Sequence, residues 1–154
     1  MRDVILALCN ALRESGLAVT EKFPPRYAPR LREAIVAVSL RQLQGESCGF
    51  ADYLGLTDDG KERYGKRIKA EFLCRIAAPD GAAASLAADS VCAALVGGIN
   101  GVLVREMTVG QAQFDDRADC FTLDITAAVT ASLYAEQTGD DPAFLDFKLE
   151  CEPK

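Results

Sequence analysis

Residues 121–134, FTLDITAAVTASLY, alternate in strict period two. Phe121, Leu123, Ile125, Ala127, Val129, Ala131 and Leu133 take the odd positions; Thr122, Asp124, Thr126, Ala128, Thr130, Ser132 and Tyr134 take the even ones. Such a pattern demands an extended strand with one dry face and one wet face. At about 3.3 Å per residue the strand reaches about 46 Å. A compact domain of this chain's length is only about 38 Å across. The strand must therefore coil strongly, break at a bulge, or project past the body of its own domain. Projection exposes a sheet edge, which a partner would have to cover. A strand of this length is expected to serve both a core and an interface, with Ala127, Ala128 and Ala131 marking a thin middle where a helix can press close.

The rest of the chain supplies the elements around it. MRDVILALCNALRESG reads as an amphipathic helix, with Asp3 a candidate N-cap and Gly16 the stop. A short strand is expected over 17–22. Pro24, Pro25 and Pro29 then forbid regular structure in an arm over about 23–33, which carries Arg26, Arg30 and Arg32. The β-branched run 34–43 predicts a buried strand. A glycine-rich loop is expected over about 44–65, and loops of that length are usually functional or mobile. KRIKAEFLCRIAAP, 66–79, alternates Ile68, Ala70, Phe72, Cys74 and Ile76 against charged residues, and predicts a strand antiparallel to 34–43. A second, alanine-rich helix follows, capped by Asp80 or Ser85 and ended by Gly97 and Gly98. A strand over about 102–114, the polar turn DDRAD, the long strand over 119–134 and a closing strand over 143–149 complete the order α-β-β-β-α-β-β-β. Segregated helices and short strand connections imply an α+β fold, mostly antiparallel, with two helices on one face. The 154 residues suit a single domain, 1–154.

Composition narrows the chemistry. The chain has no histidine and no tryptophan, and its formal net charge is −6. That balance argues against nucleic-acid binding. Residues 1–75 hold 13 Lys and Arg against 10 Asp and Glu, whereas residues 76–154 hold 4 against 13. The contrast reads either as solvated loops or as a polar subunit that stacks positive side to negative side. The six cysteines show no metal-ligand or redox spacing, and Cys9, Cys74 and Cys92 fall in apolar segments that suit buried thiols. No run of 18 uncharged apolar residues exists to span a membrane, and the start of the chain does not read as a signal peptide. A reducing, cytoplasmic setting is the expectation.

No catalytic constellation emerges. A histidine base is missing, as are a P-loop and a G-x-G-x-x-G turn. Asp115, Asp116 and Asp119 in FDDRAD bring three carboxylates together, but the spacing matches no calcium loop and reads as a solvated hairpin tip. KERYGKRIK, 61–69, sets five basic residues around Tyr64. It reads as a solvated strand entrance, a protein contact or a nucleic-acid patch. The candidate interface residues are Arg26, Arg30, Arg32, Tyr53, Lys61, Tyr64, Lys66, Arg67, Asp115, Asp116 and Asp119. No cofactor, metal or catalytic residue is indicated.

The succession of the N-terminal helix, AIVAVSL, IKAEFLCRIAAP, AASLAADSVCAALV and the paired strands around GQAQFDDRADCFTLDI resembles the tail-terminator and minor-tail-protein family of long-tailed bacteriophages and prophages. The resemblance lies in the order and type of elements; the stretch 44–65 and the tail after 135 have no counterpart in it. It implies an α+β fold and a non-enzymatic subunit. That subunit would form a ring, typically hexameric, at the head-proximal end of the tail tube. Its partners would be copies of itself and other tail or connector proteins, with assembly in the cytoplasm and residence in the virion. A neck or connector subunit is a related structural role, and two further classes stay open: a small bacterial ligand-binding module with a pocket under the helices, and an enzyme built on Asp, Glu, Cys or Tyr.

Overall fold

The computed structural model describes residues 2–20, 31–47, 52–56, 58–97, 104–137 and 145–151. In chain order the elements are α1 (Arg2–Glu14), β1 (Ala18–Thr20), β2 (Ile35–Ser47), β3 (Tyr53–Leu56), β4 (Glu62–Ala78), α2 (Gly81–Gly97), β5 (Val104–Val109), β6 (Gln113–Asp115), β7 (Cys120–Gln137) and β8 (Leu145–Cys151). The fold is α+β and the sheet mostly antiparallel, as the sequence implies.

Helix ends follow local chemistry. In α1, Leu8, Cys9 and Leu12 recur at helical spacing and are buried. Gly16 ends that helix at φ 82°, a conformation that favours glycine. Its N–H donates to the Arg13 carbonyl at 2.9 Å and the Leu17 N–H to the Leu12 carbonyl at 3.2 Å, so the last turn's carbonyls are satisfied. The helix already includes Asp3, one residue inside the expected cap. At α2 the Asp80 carboxylate accepts the Ala83 N–H at 2.8 Å, which makes Asp80 the cap. Ser85 instead donates to the Gly81 carbonyl.

The main path of the sheet is β1-β2-β4-β7-β5. Among the described residues only β1 and β2 pair in parallel, and every other pairing is antiparallel. β3 extends the β2 side of β4, while β5, β6 and β8 share the far side of β7. The β4–β7 ladder runs from Arg63↔Glu136 to Ala78↔Phe121 without a register shift. Of the three ways to accommodate a long strand, a break at a bulge is thus absent from this ladder.

Both helices lie on one face. α1 packs on β1 and β2, α2 packs on β4, β7 and β5, and the two helices touch. Beneath them Val36, Phe72, Cys74, Ile76 and Ile125 are completely buried. Ala84, Ala87 and Ala88 of α2 and Ala127 and Ala131 of β7 are buried as well, the small residues permitting a close approach of helix and sheet. The opposite face is polar and open. There Arg75 grips Asp124 through two 2.7 Å bonds, Lys69 meets Glu106 at 2.9 Å, and Arg41 reaches Glu71 at 3.1 Å and Thr126 at 3.2 Å. The hydrogen bonds to Asp124 and Glu106 raise the pKa values of Arg75 and Lys69 respectively. Lys69 and Arg75 come from the basic half of the sequence, and Glu106 and Asp124 from the acidic half. Folding therefore brings residues of the two halves together on this face.

Three features differ from the sequence expectation. The stretch 44–65 is largely strand: β2 continues to Ser47, β3 is an additional strand, and β4 begins at Glu62. Strand 102–114 divides into β5 and β6 around Gly110. The Gly110 N–H bonds the Asp124 carbonyl at 2.8 Å, and a Cβ there would stand 3.0 Å from that oxygen. The long strand itself is longer still, spanning Cys120–Gln137. The order is accordingly α-β-β-β-β-α-β-β-β-β.

Among the described cysteines, Cys9, Cys74 and Cys120 are buried and Cys92 is half-buried. Burial pushes the Cys74 thiol up to about 12. No helix among the described residues is long and apolar enough to cross a membrane.

Candidate functional site

α2 and β4 each contain 17 residues. At about 1.5 Å per residue the helix is about 25 Å long. At about 3.3 Å per residue the strand is about 56 Å. One helix cannot roof such a strand, and the burial pattern records where the roof ends. On the helix-facing side β4 is buried from Ile76 back to Ile68, then half-open or open from Arg67 to Glu62. In β2, Val36 and Val38 are buried, whereas every residue from Ser39 to Ser47 is exposed. The sheet therefore has two ends: one covered by helices, and an arm that extends past them, made of the outer parts of β2 and β4 with β3 on one side and the end of β7 with β8 on the other.

The arm keeps the core face in register. Leu40 pairs with Phe72, and the next pair is Gln42 with Glu71, so Arg41 is an extra residue bulged out of the ladder. Its guanidinium lies on the open polar face against Glu71 and Thr126. Without that insertion, Leu43 would break the alternation of Val36, Val38 and Leu40. With it, Leu43 pairs with Ala70 and returns to the helix-facing side. A second bulge lies between Tyr53, paired with Tyr64, and Gly55, paired with Arg63; Leu56 then pairs with Glu62. Paired residues share a face. Leu40, Leu43, Tyr53, Leu56 and Tyr64 thus continue the core face beyond the helices, and all five are exposed, Leu56 by 61%. Full burial of a leucine is worth about 1.5–3 kcal/mol, so the strip is a ready contact surface.

Polar contacts fix this surface. Tyr53 and Tyr64 meet edge to face with centroids 5.4 Å apart. The Tyr64 hydroxyl donates to Glu62 at 2.7 Å, a bond that raises the phenol pKa. Lys66 binds Asp52 at 2.9 Å and reaches Ser47 at 3.4 Å, tying β3 to the β2–β4 hairpin. Asp52 sits at φ 59°, an unusual conformation for a non-glycine residue, next to the start of β3.

The structure therefore gathers Tyr53, Lys61, Tyr64, Lys66 and Arg67 at the arm end of the sheet. Asp115, Asp116 and Asp119 lie at the opposite end, Asp115 closing β6 and the other two in the turn between β6 and β7. Asp115 has a local duty: its carboxylate accepts the Arg117 N–H at 2.9 Å and the Ala118 N–H at 3.3 Å. No metal-binding group of His, Cys, Asp and Glu occurs among the described residues. Arg32 is exposed at the bend before β2, apart from the arm, and Arg26 and Arg30 lie outside the described residues. Sequence reasoning missed Leu40, Leu43 and Leu56. A one-residue slip in the alternation between Leu40 and Leu43 was the available signal.

No family model matches the chain, and no curated protein matches its sequence. Among solved structures, it is similar to the sheath/tube terminator of an extracellular contractile injection system, the PVC system in its extended state, determined by cryo-EM. The TM-score is 0.52 at 18% sequence identity. The match covers 94% of this chain and 60% of that one, so the chain spans less than two thirds of its neighbour's length. What the two share is the fold.

Proposed function

We propose that this chain is a non-enzymatic structural subunit of a phage-type or contractile tail, a terminator at the head-proximal end of the tube. The observation that carries the reading is the likeness of almost the whole chain to a sheath/tube terminator. The arm fits it physically: a tail subunit needs surface that lies outside its own core, and here about nine residues of β2 and the whole of β3 lie outside the buried core. In this reading the subunit assembles in the cytoplasm as a ring of identical copies, meets tube, sheath or connector proteins, and remains in the finished particle. It needs neither cofactor nor catalytic residue.

Tail particles purified from the native host test this directly. Immunogold against the chain is expected at one end of the tube. Particles that lack the chain altogether would contradict the proposal.

A further inference from the structure

The chain contains two Asp-Gly pairs, Asp59-Gly60 and Asp80-Gly81, and the fold treats them oppositely. Aspartate followed by glycine is prone to a spontaneous rearrangement. No Cβ shields the glycine nitrogen from the neighbouring carboxyl group, and the glycine backbone turns freely.

At Asp80-Gly81 the fold blocks that chemistry. The Asp80 carboxylate accepts the Ala83 N–H at 2.8 Å, and its backbone carbonyl accepts the Ala84 N–H at 3.1 Å. Gly81 is the first residue of α2, and a Cβ there would stand 3.7 Å from the Phe121 ring. Cyclising this pair would strip the cap and the first turn of the helix. Asp59-Gly60 lacks these restraints. Asp58, Asp59 and Gly60 are exposed in the turn between β3 and β4. Gly60 stands at φ 78°, and a Cβ there would meet no heavy atom within 4 Å. Among the described residues no hydrogen bond or ion pair holds the Asp59 carboxylate.

From this contrast we infer that Asp59 is a site of isoaspartate formation in the folded chain. The Gly60 backbone nitrogen attacks Cγ of the protonated Asp59 carboxyl group. A C–N bond forms, the Cγ–OH bond breaks, and water leaves with the amide proton. Water then opens the cyclic imide at either carbonyl. Opening at Cγ restores aspartate; opening at the main-chain carbonyl leaves isoaspartate, its backbone routed through the side-chain methylene and its carboxylate on the α-carbon. Charge is unchanged, but the connection between Leu56 and Glu62, the pair that closes β3 on β4, gains one carbon. The reaction depends only on this turn and not on the tail assignment.

The test holds the full chain for weeks at neutral pH and physiological temperature, folded in one sample and in denaturant in a second. Peptides are then fragmented by a method that separates isoaspartate from aspartate, with isoaspartyl methyltransferase labelling as an independent count. In the folded sample isoaspartate is expected to accumulate at 59 and stay at background at 80, whereas in denaturant both positions should convert. Asp59→Glu lengthens the side chain and disfavours the ring, so it should remove the signal from this turn; circular dichroism checks that the variant folds. A folded chain without isoaspartate at 59 overturns the assignment. So does equal conversion at 59 and 80 in the folded chain, or a signal from the turn that survives Asp59→Glu.

Discussion

The two ends of this sheet are made from the same strands and behave as different materials. At the covered end β4 alternates Ile76, Cys74, Phe72 and Ala70, each at most 2% exposed, beneath α2. At the arm end the same strand reads Lys66, Arg67, Tyr64 and Glu62, and nothing among the described residues roofs it. The difference follows from geometry before chemistry: a residue advances a strand about twice as far as it advances a helix. Where a 17-residue helix serves 17- and 18-residue strands, the excess must project. The sequence accommodates this by becoming polar where the roof ends, while a short apolar strip stays on the core-facing side.

If that contrast is real, truncation at the two ends must have unequal consequences. Phe72→Ala removes a side chain buried at the centre of the covered end and is expected to cost about 3–5 kcal/mol in denaturant unfolding. Cys74 gives a second handle on the same region. Its folded thiol ionises near 12 and an ordinary one near 9, so between those values the folded state holds the proton more tightly. This contribution to stability is complete below pH about 9 and is lost as pH rises toward 12. Replacing Cys74 by Ala should flatten that alkaline decline, and the native thiol should resist alkylation until the chain unfolds. On the open face, Asp124→Asn breaks a bidentate but half-exposed pair and is expected to cost no more than about 1 kcal/mol. At the arm, Leu56→Ala should change unfolding free energy by less than about 0.5 kcal/mol. A Leu56→Ala cost matching that of Phe72→Ala would mean that the arm belongs to the core.

Legibility of the sequence divides along the same line. The strand around Phe72, the strand around Ile125 and both helices each have one dry face, and their periodicity states it openly. The outer half of β2 and all of β3 have no buried side chain, so their pattern imitates a glycine-rich loop. The bulge at Arg41 hides the strip further by shifting Leu43 one place out of step. The break between β5 and β6 depends on the close approach of Gly110 to Asp124, a contact between residues that no local pattern links. The basic run 61–69 falls at the arm end of the sheet. There Lys66 and Lys69 are engaged by Asp52 and Glu106, while Tyr53, Leu56 and Tyr64 are exposed. The acidic turn at Asp115 belongs to the other end and closes a hairpin.

Deleting residues 46–64 is the most direct test, because it removes the tip of the arm and little else. Gly45 pairs with Ile68, so residues 65, 66 and 67 would remain as a three-residue hairpin connection. Circular dichroism and thermal unfolding, measured together with mass by light scattering, decide the outcome. The expected result is a folded chain that no longer assembles. A deletion that unfolds the protein, or one that leaves assembly intact, would contradict it.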